Sequence, residues 1–150
     1  MFTIIKTNSD SADFKALIRL LDQDLLGVFG EQQAFFDQFN KTDTIKHVVV
    51  LYANDEPIGC GAIKQYDEHT MEVKRVYVKL VFRGQKLGLR IMQQLEDWTK
   101  ELGYTHCILE TGRGLDNAIK LYQNNGYKVI DNYGQYIGVE NSICMMKAIG

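Results

Sequence analysis

One proline, Pro57, and one tryptophan, Trp98, are all that 150 residues contain of either type. So little proline excludes a polyproline or low-complexity chain. There are three cysteines, Cys60, Cys107 and Cys144, each inside an apolar, strand-like run. An odd count without C-x-x-C spacing argues against a disulfide framework and against a zinc site, and favours buried structural thiols in a reducing compartment. The histidines, His47, His69 and His106, do not fall at metal-ligand spacings, so no metal is expected. Positive charge is not in excess: 17 Lys and Arg stand against 19 Asp and Glu. Phosphate-backbone binding needs clustered cations, so no nucleic-acid partner is expected. No apolar run approaches a membrane span, and the start, Met1 to Lys6, lacks the basic-then-apolar layout of a secretory signal. The expectation is a cytoplasmic protein without a membrane partner.

Apolar residues make up 45% of the chain, as in an ordinary globular protein. A chain of this length reads as one domain, 1–150, and buries about 68–70% of its unfolded surface. A first strand is expected over 3–7. Ser9 or Ser11 then caps a helix over 12–27, with Phe14, Leu17, Ile18, Leu21 and Leu25 on one face. A second helix over 31–40 carries Phe35, Phe36 and Phe39, which either cover a cleft or fill the core. Strands over 46–53, 58–66 and 70–79 follow, joined by short turns at Asn54-Asp55-Glu56-Pro57 and Asp67-Glu68-His69, as an antiparallel meander. A helix over 86–102 stops near Gly103, and a strand covers 106–110. A helix over 115–125 ends at Gly126, a natural C′ residue, before strands near 127–132 and 141–148.

The helix between the strands 70–79 and 106–110 makes a crossover, so those two strands are expected to be parallel. Ligands of such sheets sit beyond the carboxyl ends of parallel strands, near the loop that opens the helix. Here that loop is Arg83-Gly84-Gln85-Lys86-Leu87-Gly88. It aims free backbone N–H groups at one point, where the helix dipole also favours negative charge, which suits a phosphate.

The loop resembles the signature of the GNAT superfamily of N-acetyltransferases, which reads Arg or Gln, two residues, Gly, one residue, Gly or Ala. Its one departure is Lys86 at the central glycine position, where the backbone N–H is expected to serve without a left-handed conformation and the side chain to add positive charge. Asn117 to Tyr127 is similar to the second signature of the family, Leu-Tyr, three residues, Gly-Tyr after a helix. Tyr133-Gly134-Gln135-Tyr136-Ile137-Gly138 looks like the tail of a bacterial subgroup of unassigned substrate. The resemblance covers residues 45–130. It implies a single-domain α/β acyl-CoA N-acyltransferase fold, with a mixed, mostly antiparallel sheet, a parallel central pair and flanking helices.

The resemblance also implies acetyl-CoA as cosubstrate and a chemistry. Val76, Tyr77 and Val78 would hold the thioester with backbone groups, and an N–H there would stabilise developing oxyanion charge. Arg83, Gly84, Gln85, Lys86, Leu87 and Gly88 would hold phosphates. Asn117 would touch the pantetheine arm, or cap its helix. An amine is mostly ammonium at neutral pH, so a base must take its proton. Glu72, four residues before Val76, is the first choice. Glu110, at the end of the parallel strand, is the competitor, or serves only to bind the substrate ammonium. If Glu72 is not the base, it is a solvent-facing strand glutamate paired with Lys74 or Lys64. Tyr122 matches the acid that protonates the CoA thiolate. Arg113 reads as a solvated turn residue and Trp98 as core.

The acceptor is expected to be a small-molecule amine, with a protein lysine or N-terminus behind it. Asp22, Asp24 and Glu31 could receive a polyamine or stand as ordinary surface carboxylates. A non-catalytic acyl-CoA sensor or partner-binding module is the alternative, and the resemblance leaves a homodimer through the last strands open.

Overall fold

The computed structural model describes residues 1–29 and 45–150, without the side chains of Val28 and Phe29. The expected helix over 31–40, its three phenylalanines and Glu31 lie outside the described residues.

The elements, in chain order, are β1 (Phe2–Thr7), α1 (Ala12–Phe29), β2 (His47–Ala53), β3 (Glu56–Gln65), β4 (Thr70–Val78), α2 (Leu87–Glu101), β5 (His106–Gly112), α3 (Asp116–Asn124), β6 (Lys128–Ile130) and β7 (Ser142–Ala148). Short 3-10 turns lie at Leu80–Phe82 and Gly134–Tyr136. One sheet takes the order β1-β2-β3-β4-β5-β7-β6. The β4–β5 pair is parallel, and every other pair in the sheet is antiparallel.

The run Val48-Val49-Val50-Leu51 is buried throughout because both faces of β2 are covered. Val48 and Val50 meet Phe14, Leu17 and Ile18 of α1, with Cys60, Ala62 and Tyr77. Val49 and Leu51 face the opposite core, with Ile91, Met92 and Leu95 of α2. Helix α2 lies close to the sheet because Gly61 has no side chain: a Cβ there would come within 2.8 Å of both Ile91 and Leu95. Ser11 is the cap of α1, its hydroxyl accepting from the Phe14 N–H at 3.2 Å. Glu56 and Pro57, expected in a turn, already belong to β3, and the turn narrows to Asn54-Asp55, with Asn54 left-handed at φ 56°.

Two irregularities of β4 shape the site. It pairs with β5 only from Thr70 to Glu72, against His106 to Ile108. Beyond that point the two strands part and a cleft opens between them. On the β3 side, Cys60 pairs with Tyr77 and Ala62 with Lys74, so Gly61 stands opposite both Arg75 and Val76. That is a β-bulge, with Arg75 at φ 59°, and a bulge leaves its extra residue outside the ladder.

Candidate active site

A cavity of about 830 Å³ lies beyond the carboxyl end of β4. Val76, Tyr77, Val78, Arg83, Gly84, Lys86, Leu87, Gly88 and Asn117 all line it. Helices α2 and α3 both begin at this cavity, with Lys86 and Leu115 at their N-cap positions and no side-chain cap on either. Their first-turn amides are therefore not satisfied by a capping side chain, and the positive ends of both dipoles meet here. Gly88 brings α2 against α3: a Cβ there would lie 3.1 Å from the Leu121 side chain.

Two expectations are corrected here, for the backbone of Lys86 and for Asn117 as a cap, and the Arg83 side chain has partners of its own. Lys86 is left-handed, at φ 62° and ψ 24°, because the chain must turn from extended Arg83 into α2 at this residue. Asn117 does not cap α3; Leu115 does, which puts Asn117 in the first turn. The Arg83 guanidinium is turned back from the loop: it donates to the Val78 carbonyl at 2.7 Å, pairs with Asp24 at 3.1 Å and stacks over Tyr77. Gln85 closes the loop by donating to the Phe82 carbonyl at 3.2 Å.

A smaller cavity of about 140 Å³ occupies the cleft between β4 and β5. It is lined by Glu72, Lys74, Glu110 and Tyr136, and it shares Leu21, Leu25, Val76, Leu115, Ala118 and Tyr122 with the larger one. Val76 and Tyr122 thus stand where the two spaces meet.

The two carboxylates differ in environment. Glu72 Oε2 accepts from the Tyr133 hydroxyl at 2.6 Å, and Oε1 faces the Lys74 ammonium at 3.6 Å. Both of its oxygens are engaged, and Glu72 is not solvent-facing. Glu110 Oε2 accepts from the Ser142 hydroxyl at 2.6 Å. Burial pushes the Glu110 carboxyl up to about 7; the Ser142 bond opposes this and the Glu72 charge adds to it. The Tyr122 phenol is pushed up to about 12, first by burial and then by the Glu110 charge.

The second signature has a structural meaning. Tyr122 is the third residue from the end of α3, Asn125 the C-cap and Gly126, at φ 92°, the C′ residue. The Gly126 N–H donates to the Gln123 carbonyl at 3.1 Å and the Tyr127 N–H to the Tyr122 carbonyl at 3.0 Å, which is a Schellman motif. The motif is anchored from below by Glu96 of α2, which accepts from Asn125 at 2.8 Å, Tyr127 at 3.1 Å and Lys147 at 2.7 Å.

Sequence reasoning left Tyr133, Tyr136 and Ser142 without roles, while Lys74 is the expected partner of Glu72. The tail motif held the available signal: its two tyrosines, three apart across a 3-10 turn, meet edge to face with centroids 5.6 Å apart, and one reaches Glu72. Arg113 is a turn residue, its Nε donating to the Glu140 carbonyl at 2.7 Å. Trp98 packs on the core as expected. Among the described residues no group of His, Cys, Asp and Glu is arranged to hold a metal ion.

With this geometry in view, the chain is found to belong to the GNAT family of acetyltransferases, whose family model matches residues 14–127. The uncharacterised N-acetyltransferase C1271.07c of Schizosaccharomyces pombe is 30% identical over 142 residues, covering 86% of this chain and 83% of that protein. A solved structure from Klebsiella pneumoniae, assigned as an acyl-CoA N-acyltransferase, superposes with a TM-score of 0.85 at 30% identity, over 100% of this chain and 99% of that one. The PaiA N-acetyltransferase of Thermoplasma acidophilum, solved in complex with coenzyme A, shares the fold with a TM-score of 0.74 at 20% identity, over 99% of each chain.

Proposed function

We propose that the protein transfers an acetyl group from acetyl-CoA to the primary amine of a small molecule by direct attack. The observation that carries this is the meeting of the two cavities at Val76 and Tyr122, with Glu110 on the wall of the smaller one. The residues of the larger cavity fit the cosubstrate: two uncapped helix N-termini and the open space beside Gly84 suit a diphosphate. Bound acetyl-CoA supplies the acetyl group as a thioester.

Glu110 is the base in this reading. Its Oε2 accepts from the neutral Ser142 hydroxyl, it lines the smaller cavity, and its carboxyl, pushed up to about 7, is poised to take a proton near neutral pH. Glu72, the first choice from sequence, has both oxygens engaged by Tyr133 and Lys74, so it serves better as a charged neighbour. Tyr122 retains its proton at neutral pH and gives it to the departing thiolate. The bulge at Arg75 frees β4 from its ladder next to Val76, where a backbone N–H supports the oxyanion.

The buried thiols of Cys60, Cys107 and Cys144 offer no nucleophile for an acetyl-enzyme route. The test is initial-rate kinetics with acetyl-CoA and an amine, product being followed by mass spectrometry. Intersecting double-reciprocal lines are expected, and parallel lines would contradict direct transfer. Tyr122→Phe should lower kcat far more than it weakens acetyl-CoA binding. Gly88→Asp should do the reverse, because it places bulk and negative charge at the anion site.

A further inference from the structure

Among the described residues the charges around the smaller cavity are almost all answered. On β4, Lys74 stands against Glu72 at 3.6 Å and Arg75 pairs with Asp22 of α1 at 2.7 Å. At the loop, Arg83 pairs with Asp24 at 3.1 Å. The two α1 carboxylates considered as polyamine receivers are therefore already neutralised by arginines. Glu110 differs from them, since its hydrogen-bond partner is the neutral Ser142 hydroxyl. Among the described residues the rest of the wall is mainly apolar, with Leu21, Leu25, Val76, Leu115 and the Tyr136 ring, and Thr111 and Tyr122 add neutral hydroxyls.

We infer that the acceptor is a compact aliphatic monoamine, with one positive charge, an apolar body and no carboxylate beside the amine. This rests on the acetyl-transfer reading above. One ammonium answers Glu110. A second ammonium would lie against leucines or against carboxylates that Arg75, Arg83 and Lys74 already hold, and a buried charge without a partner is strongly disfavoured. A carboxylate next to the amine would crowd Glu110 and Glu72. Lys74 is the cation nearest to hand for it, but its side chain is only 7% exposed, it is set against Glu72, and burial lowers its affinity for a proton. The space of about 140 Å³ fixes the scale. A protein cavity near that size admits benzene, so an acceptor body of about six heavy atoms fits this space.

The experiment compares kcat/KM on the wild-type protein for three amines with a five-carbon body, branched in isoamylamine and leucine and straight in cadaverine. Isoamylamine carries one charge, leucine adds a carboxylate, and cadaverine adds a second ammonium; a short peptide with an amino-terminal leucine stands for protein acceptors. Isoamylamine is expected to exceed each of the others by about tenfold or more, equivalent to about 1.4 kcal/mol. Equal or better use of leucine, cadaverine or the peptide overturns the acceptor class and leaves acetyl transfer standing. Acetylation of none of them, by protein that binds acetyl-CoA in calorimetry, overturns both. Leu25→Asp adds an unanswered carboxylate to the wall and should raise the cadaverine-to-isoamylamine ratio about tenfold, while Leu25→Asn leaves it unchanged. A ratio that fails to move in folded Leu25→Asp overturns the assignment of this cavity to the acceptor.

Discussion

Tyr127 donates its backbone N–H to the carbonyl of Tyr122 at 3.0 Å, and the two rings meet edge to face with centroids 6.0 Å apart. The end of α3 and the phenol at the junction of the two cavities are therefore one unit. Gly126 makes it possible by adopting φ 92°. A Cβ at Gly126 would make only an ordinary contact with Lys147 at 3.5 Å, so its cost lies in the backbone. Gly126→Ala is expected to destabilise the fold by about 1–2 kcal/mol in urea denaturation. It should also lower kcat in the fraction that remains folded, because Tyr122 loses its anchor.

Glu110 gives the enzyme a pH signature. As base it must be deprotonated, so kcat/KM should rise as pH passes about 7. Glu110→Gln should remove that rise and cost about 10²–10⁴ in rate. If Glu72→Gln removes it instead, the base is Glu72. Stability runs the opposite way. A carboxyl whose folded value is raised from 4.5 to about 7 binds its proton more tightly in the native state. Its stabilising contribution is complete below about 4.5 and is lost as pH climbs through about 7. At about pH 8 Glu110→Gln should therefore melt above the wild type, and the difference should vanish on acidification.

Glu96 is 8% exposed yet carries a charge, and it holds α2, the end of α3 and β7 together. Glu96→Ala leaves the Lys147 ammonium without its acid and is expected to cost about 3–5 kcal/mol by urea denaturation. Replacing both Glu96 and Lys147 with methionine should restore most of that loss, because the stranded charge disappears with its partner.

Lys86 sits in a conformation that a side chain disfavours by about 1–2 kcal/mol. Lys86→Gly relieves this at the expense of a more flexible unfolded chain. The expected net gain is up to about 1 kcal/mol in thermal denaturation. Acetyl-CoA binding, measured by calorimetry, reports separately on the lost positive charge.

The fold was largely legible where local chemistry dictates structure. Helix α2 announces itself by Leu87, Ile91 and Leu95 at helical spacing, and Gly103 and Gly126 mark helix ends because glycine alone takes positive φ cheaply. The parallel β4–β5 pair followed from the helix between them. What escaped depends on distant partners. Arg75 is left-handed because Gly61 of β3 has one residue fewer to offer, and nothing in Val-Lys-Arg-Val says so. Arg83 lines the larger cavity, but nothing near it in the chain says that Asp24, 59 residues away, pairs with its guanidinium there. Tyr133 and Glu72 are 61 residues apart in the chain and 2.6 Å apart in space. Of the site, Arg83, Gly84, Lys86, Leu87, Gly88 and Asn117 were readable from the two signatures, Gln85 does not line the cavity, and the environments that distinguish Glu72 from Glu110 come from the tail loop and β7.

The three buried cysteines have one further consequence. All are shielded by the core, and burial pushes the thiols of Cys60 and Cys144 up to about 12 and about 11 and raises Cys107 as well. Reaction with a disulfide dye requires an accessible thiolate. The native enzyme should therefore be silent to such a reagent, and colour developed during turnover would count liberated coenzyme alone. A slow protein-derived signal appearing on warming would, by the same reasoning, clock the opening of the sheet itself.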